Sequence, residues 1–308
     1  MRNLPKINQL KNLRTVIHTG GIRSAAQATN QTQSSVTRSI QELENILRVP
    51  LLKRSVNGIQ LTEFGEFFMP YMDKVLNELE RAVDDLDQMI NESQGTIKFG
   101  CSHVPAYGIM PELIKNFQQR YPQAQLTVVE GQFSELAPLV RSGRLNFYVG
   151  ITMPSISLDE FYVEYLYYSK FYVFSRKNHP LVNSHSLSEL SNCKWYLPGG
   201  GVDIFSSVEK VIFPYGRGEV SSVLYGDSVS IGEQLILNDD YISIGPKEML
   251  NSKYIKNKLA IINVKEDLPI GQYAIIHGMK TTPLSMTKWF LDEIRHNLQL
   301  TQSENSKL

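Results

Sequence analysis

Cysteine is scarce. Cys101 and Cys193 are the only two in 308 residues, too few for a disulfide scaffold. No run of 18 apolar residues occurs, which argues against a membrane-spanning helix. The opening stretch MRNLPKINQLKNLRTVIHTGG has neither an unbroken apolar core nor a small-residue cleavage site, so a secretory leader is not expected and a cytoplasmic protein is. Catalytic patterns are also missing. No paired carboxylates and no Ser/His/Asp arrangement can be assigned. Gly199-Gly200-Gly201 lacks the fixed spacing and following helix of a phosphate loop. Cys101 and His103 stand close together without further ligands at metal spacing. The expectation is therefore no enzyme, no cofactor and no metal. The last residues, Ser306-Lys307-Leu308, match a peroxisomal address but read more simply as a frayed polar end.

Net charge is zero, with 31 basic and 31 acidic residues, but it is unevenly spread. Residues 1–62 hold nine Lys or Arg and two acids, a net +7. Residues 63–92 hold two bases and nine acids, a net −7, and residues 93–308 hold twenty of each. A basic head on an acidic connector and a neutral body points to a polyanionic partner for the head.

In the head, Leu10, Leu13, Val16 and Ile17 recur at helical spacing, and Gly20-Gly21 end that helix. Ala25, Ala26 and Ala28 suit a second helix in close contact with its neighbours. Thr32 is placed to cap a third helix from about Gln33 to Leu47, with an apolar stripe of Val36, Ile40, Leu43 and Leu47. Its other face carries Gln33, Ser34, Ser35, Thr37, Arg38 and Gln41, short uncharged hydrogen-bonding groups with one Arg. Pro50 stops the helix, and LLKRSVNGIQLT follows with Asn57-Gly58 as a hairpin turn. Three helices and a hairpin make a winged helix-turn-helix. The third helix would lie in a DNA major groove, where Gln and Arg make paired hydrogen bonds to base edges. Lys53 and Arg54 on the wing would hold phosphates.

The run GGIRSAAQATNQTQSSVTRSIQELENILRVPLLKR, with LTEFG after it, resembles the N-terminal signature of LysR-type transcriptional regulators. The likeness covers about residues 7 to 70 and continues more weakly to about 295. Thr29 and Gln31 stand where the family usually has apolar residues, and Ser34 where it often has Pro. The resemblance implies a homodimer or homotetramer binding double-stranded DNA, with a small-molecule effector held in a second domain.

The segment from Thr62 to about residue 92 reads as a long linker helix. Phe64, Phe68, Tyr71, Val75, Leu79, Ala82, Leu86 and Met89 fall at spacings of four and three, a coiled-coil seam that calls for a partner. The resemblance favours a second copy of the helix.

From Thr96 the pattern becomes β-α-β-α-β: TIKFG, PELIKNFQQRY, QLTVVE, SELAPLVRSG, LNFYVGI. This order implies a parallel sheet covered by helices. FYVFS, VSSVLYG, YISIG and YAIIHG read as later strands, and PLSMTKWFLDEIRHNL as a closing helix. The resemblance implies an effector domain of two α/β lobes, similar to periplasmic binding proteins. The expected divisions are 1–62 for the winged helix-turn-helix, 63–92 for the linker and 93–308 for the effector domain. Lobe I would take about 93–163 and 269–300, and lobe II about 164–268.

Ligands of open α/β sheets bind beyond the carboxyl ends of strands. Those ends carry Ser102, His103, Gln132, Thr152, Gly200, Gly201 and Asp227, the candidate effector-binding residues. The resemblance assigns Ser102 to an effector contact. A hydroxyl at a helix start suits a small anion, and Asp227 opposes one. Two other readings stay open: a thiol-based redox regulator using Cys101 or Cys193, and a small-molecule solute-binding protein.

Overall fold

A computed structural model describes residues 3–55, 58–90, 95–153, 156–198, 209–213, 222–226, 228–251, 257–278 and 283–305. The chain forms two compact units, Met1–Leu86 and Asp87–Leu308.

The first unit begins with three helices, α1 (Ile7–Thr19), α2 (Ile22–Ala28) and α3 (Gln33–Leu47). Gly20 closes α1 in the left-handed region at φ 75°, which glycine adopts without steric cost. Thr32 caps α3, its hydroxyl accepting from the Ser35 N–H at 3.2 Å. Leu13, Val16, Val36 and Leu43 are fully buried between the helices. After α3 the Glu44 carboxylate accepts from the backbone N–H groups of Leu51 (2.7 Å) and Leu52 (3.1 Å), fixing the entry to the hairpin β1 (Leu52–Ser55) and β2 (Gly58–Leu61). The two strands pair antiparallel. Asn57 of the expected turn lies outside the described residues.

The departures at Thr29, Gln31 and Ser34 have local partners. Gln31 and Asn12 exchange side-chain hydrogen bonds (3.1 and 3.5 Å), so a polar pair stands where apolar packing is usual. The Thr29 hydroxyl donates to the Ala25 carbonyl, and Ser34 and Thr32 share a hydroxyl contact at 3.0 Å.

Helix α4 (Glu63–Ile90) runs 28 residues, about 42 Å at 1.5 Å per residue. Thr62 starts it: its hydroxyl accepts from Gly65 N–H and donates to the Pro50 carbonyl. Gly65 is required there, since a Cβ would stand 2.3 Å from the Leu51 carbonyl oxygen. Pro70 lies within the helix. One face of α4 joins the core of the head through Met72 and Leu76, with Phe68 and Met69 packed alongside. Arg14 of α1 fastens it by bonds to Asn77 (3.3 Å) and Glu80 (2.5 Å). The expected seam is corrected at Phe68, which turns toward the head because the helix must also bury a stripe on α1 and α3. The outward stripe is Phe64, Phe67, Tyr71, Val75, Leu79, Val83, Leu86 and Met89, all exposed.

The second unit holds, in chain order, β3 (Thr96–Cys101), α5 (His103–Tyr107), α6 (Met110–Arg120), β4 (Gln125–Glu130), α7 (Phe133–Arg141) and β5 (Phe147–Thr152). Then come β6 (Tyr162–Arg176), β7 (Lys194–Pro198), β8 (Val223–Gly226), α8 (Val229–Asn238), β9 (Tyr241–Pro246), β10 (Leu259–Ile262), β11 (Ile270–His277) and α9 (Ser285–Asn305). The strand order is β4-β3-β5-β11-β6-β9-β7-β8, with β10 also on β6. The parallel sheet expected of the β-α-β-α-β run is present as β3, β4 and β5, within a larger mixed sheet. β3, β4 and β5 are parallel, as are β7, β8 and β9, but β6 and β11 run antiparallel to their neighbours. These two strands carry the chain between lobes, so the passage and the return oppose each other. β6 belongs to both lobes, pairing with β11 over Tyr162–Lys170 and with β9 over Phe171–Phe174.

Each lobe has its own core. Phe99, Phe117, Phe147 and Phe290 meet in one, with ring centroids of Phe290 5.1 Å from Phe99 and 5.2 Å from Phe117. Trp195, Leu197, Ile242 and Ile244 centre the other.

Candidate functional site

On α3 the stripe Val36, Ile40 and Leu43 faces the core, which forces the polar residues outward. Gln33, Ser34, Ser35, Arg38 and Gln41 are exposed and Thr37 is half-buried. Arg38 is the most prominent, with its side chain 81% exposed and Nε donating to Glu42 Oε1 at 3.0 Å. That exposed pair holds the guanidinium weakly, leaving it available to a stronger acceptor. The Ser35 hydroxyl donates to Gln31 Oε1 just ahead of the helix, and the Thr37 hydroxyl donates to the Gln33 carbonyl within it. Lys53 and Arg54 are exposed on β1. Consecutive strand residues leave opposite faces, so the two bases project differently from the wing.

In the second unit a cavity of about 190 Å³ opens between the two lobes. From one lobe it receives Ser102 and His103 after β3, Glu130 at the end of β4 and Gln132 beyond it, and Tyr148 and Ile151 of β5. From the other it receives Tyr196, Gly226, Gly232, Glu233 and the end of β9. Strand-end position therefore located Ser102, His103 and Gln132 on the cavity wall. Thr152 is a correction. Its neighbours Tyr148 and Ile151 line the cavity, whereas Thr152 at the end of β5 is buried off the cavity wall, its hydroxyl donating to the Gln272 carbonyl at 3.2 Å. Gly200, Gly201 and Asp227 lie outside the described residues.

Ser102 precedes α5 but its hydroxyl does not cap it. Instead Oγ accepts from the Ile151 N–H at 3.4 Å. Gly150 brings this hydroxyl and that of Tyr148 together: a Cβ there would stand 2.4 Å from Ser102 Oγ and 2.6 Å from Tyr148 Oη. Burial raises the Tyr148 hydroxyl pKa, keeping it a neutral donor. Gln132 caps α7 reciprocally with Glu135, whose Oε2 accepts from the Gln132 N–H at 3.1 Å. His103 Nδ1 lies 2.9 Å from Glu130 Oε1, and its Nε2 lies 4.0 Å from Glu233 Oε1 across the cavity. Sequence reasoning missed Glu233, Tyr196 and the apolar walls. Glu233 is on a helix far along the chain, and no local pattern ties it to Ser102.

The profile of the LysR substrate binding domain matches residues 91–299, and that of the bacterial regulatory helix-turn-helix protein, lysR family, matches residues 7–66. The chain belongs to the LysR family of transcriptional regulators. Among its relatives is the HTH-type transcriptional regulator TdcA of Escherichia coli K12, 29% identical over 273 residues, 89% of this chain and 87% of TdcA. GbpR of Rhizobium radiobacter is 26% identical over 236 residues, covering 75% of this chain and 78% of its own. In fold, the chain resembles full-length CbnR crystallised with its target DNA, at a TM-score of 0.66 and 19% identity over 95% of this chain and 99% of CbnR. A full-length OxyR variant from Pseudomonas aeruginosa gives 0.64 and 17%, over 97% and 96% of the two chains.

This LysR-type regulator carries both thiols buried, in different core clusters. Burial pushes Cys101 up to about 12 and Cys193 up to about 11. Thiols held protonated and away from solvent are poor nucleophiles. Among the described residues no group of three or more His, Cys, Asp or Glu is arranged to hold a metal, and no helix is long and apolar enough to cross a membrane.

Proposed function

We propose that this LysR-type regulator reads double-stranded DNA through α3, pairs through α4, and is controlled by a small molecule in the inter-lobe cleft. The observation that carries the DNA role is the exposed polar face of α3 on a head of net +7. Gln33, Ser34, Arg38 and Gln41 would meet base edges, with Ser35 and Thr37 nearer the backbone and Lys53 and Arg54 on phosphates. Oligomerisation through α4 is supported by its outward apolar stripe, which single-helix exposure leaves unburied. Dimer and tetramer both satisfy it. Access to DNA makes the cytoplasm the expected compartment. The effector-domain division at about residue 93, with lobes exchanging near 164 and 268, remains part of this reading.

Control would work by a shift between lobe arrangements that the ligand stabilises unequally. Ser102, His103 and Gln132 are the proposed ligand contacts retained from the strand ends, and Gly200, Gly201 and Asp227 stay proposals from sequence position. The thiol-based reading is disfavoured by the burial of both cysteines.

The test is Arg38→Ala in a DNA-binding titration against a selected operator and random DNA. A loss of about 1–3 kcal/mol on the operator alone marks base reading. Equal loss on both marks phosphate contact, and no loss on either rejects α3 as the reading element.

A further inference from the structure

The cleft differs in charge from the anion site expected at its strand ends. Three carboxylates line it, those of Glu130, Glu135 and Glu233, and among the described lining residues there is no Lys or Arg. His103 is the sole titratable base among them. A single imidazole can balance one carboxylate, so the wall stays acidic even with His103 protonated.

The three carboxylates are not equivalent. Glu130 already faces His103 Nδ1 at 2.9 Å, and Glu135 accepts the Gln132 N–H that begins α7. Glu233 stands apart on α8. Its Oε1 is buried, makes no hydrogen bond among the described residues, and is 4.0 Å from His103 Nε2, too far for a direct one. Burial raises its carboxyl pKa, against the opposing pull of His103 and then Lys258. A buried oxygen without a donor is costly, and a ligand that supplies the donor recovers that cost on binding.

The rest of the wall is apolar. Phe133, Ile151, Met153, Phe171, Ile236 and Met249 line the same cavity. Its volume of about 190 Å³ is below the roughly 300–1,000 Å³ of pockets for drug-sized ligands, which confines the occupant to a small molecule. Aromatic faces also tolerate a cation better than an anion.

Building on the reading of this cleft as the effector site, we infer that it selects a small, mainly apolar molecule carrying an ammonium group, with Glu233 as the residue that recognises the charge. The ammonium sits between Glu233 and the Glu130–His103 pair, and the hydrocarbon part lies against the aromatic and aliphatic walls. Glu130 and His103 come from one lobe and Glu233 from the other, so one ligand group bridges the cleft. A ligand carboxylate at the same place would be repelled by all three glutamates.

The experiment is calorimetry on the full-length protein with two matched series. One is 2-phenylethylamine, 2-phenylethanol and phenylacetate, and the other is isopentylamine, isopentanol and isovalerate. The amine of at least one series is expected to bind at least about tenfold tighter than its alcohol and its acid, the size of one charge-assisted hydrogen bond. Glu233→Gln keeps the shape and is expected to weaken that amine by roughly ten- to a hundredfold while leaving the alcohol within about threefold. Glu233→Asp keeps the charge and is expected to preserve the order of preference. An unchanged melting temperature for Glu233→Gln without ligand verifies that the fold survives. Tighter binding of the acids, failure of both amines to bind, or an amine affinity indifferent to Glu233→Gln overturns the inference. An acid found in the cleft by crystallography would sink the ammonium and keep the effector site, whereas an amine bound outside the cleft would sink both.

Discussion

On α3 the exposed polar side chains come from one continuous helix, and the head around them carries a net +7. The cleft draws its walls from Ser102 through Leu259, from strand ends and helices of two lobes, and it is acidic and apolar. The head shows a basic surface to a polyanion whose shape repeats. The body shows a concave, enclosed surface to a small molecule. A surface reader needs only one helix fixed by a stripe of apolar residues. A pocket needs a whole domain, since enclosure is a property of several elements together.

The strongest way to break this comparison is to damage one unit and ask whether the other responds. Phe290→Ala removes a fully buried ring from the aromatic cluster with Phe99 and Phe117, at a cost of about 3–5 kcal/mol. Hydrogen exchange should rise through β3, β5 and α9 while α1–α3 stay protected. Equal loss of protection in the head would merge the two units into one cooperative block.

The two faces of α4 offer a second contrast, since one belongs to the head core and the other is exposed. Val75→Asp with Leu79→Lys places charges on the outward face as an i,i+4 pair that preserves the helix. If that face is a dimer seam, self-association should weaken by about 3 kcal/mol or more, because taking two charges out of water into an apolar seam is costly even when they pair. Sedimentation reads the change, and an unaltered mass would locate the interface elsewhere. Specific DNA affinity should fall with the dimer, while helix content stays constant.

Gly150→Ala probes the cleft without touching the head. Its new Cβ would press on the Ser102 and Tyr148 hydroxyls, an overpacking cost of about 1–3 kcal/mol. Thermal melting should record that loss, and operator binding by the head should not change. A neutral result would mean that the Ser102 and Tyr148 side chains reposition freely.

The smallest effect tests a tie between β6 and α9. Arg295 holds Glu164 through two bonds, Nε to Oε1 at 2.7 Å and Nη2 to Oε2 at 2.8 Å. The Arg295 hydrogen bonds lower the Glu164 carboxyl pKa, partly offset by burial. A depressed folded pKa stabilises above the ordinary glutamate range, and the stabilisation fades as pH falls through the folded value. Both partners are partly exposed, so Glu164→Gln should cost only about 0–1 kcal/mol at neutral pH. That difference should vanish in acid, as read by urea unfolding across pH. A cost that grows on acidification would contradict the assignment.

The head was legible because its signals are local. Thr32 and Gly20 mark helix ends by their own chemistry, and a stripe at helical spacing tells inside from outside. The strands β4, β9 and much of β11 were legible for the same reason. β6 was not: FYVFS marks only its second half, and in the first half the residue types do not alternate, with Tyr167 beside Tyr168 and polar Ser169 on the buried side, although burial itself alternates from Tyr167 to Phe171. Its register shifts at Tyr273/Ala274 where it pairs with β11, which breaks the period-two pattern. β10 is short and was also missed, and β7 was read only through its carboxyl end, ahead of Gly200 and Gly201.

By itself, the sequence determined the winged helix-turn-helix, the long amphipathic helix, the α/β character of the body, and the position of Ser102, His103 and Gln132 at strand ends. Those follow from caps, turns and hydrophobic period, which act within a few residues. Tertiary structure alone decided that Thr152 faces away, that Phe68 serves the head rather than the outer stripe, and that Glu233 meets His103 across the cleft. Each depends on which face of one element packs against another distant in the chain. Burial then sets the chemistry, since the same carboxylate that water would solvate becomes, in the cleft, an acceptor in want of a donor.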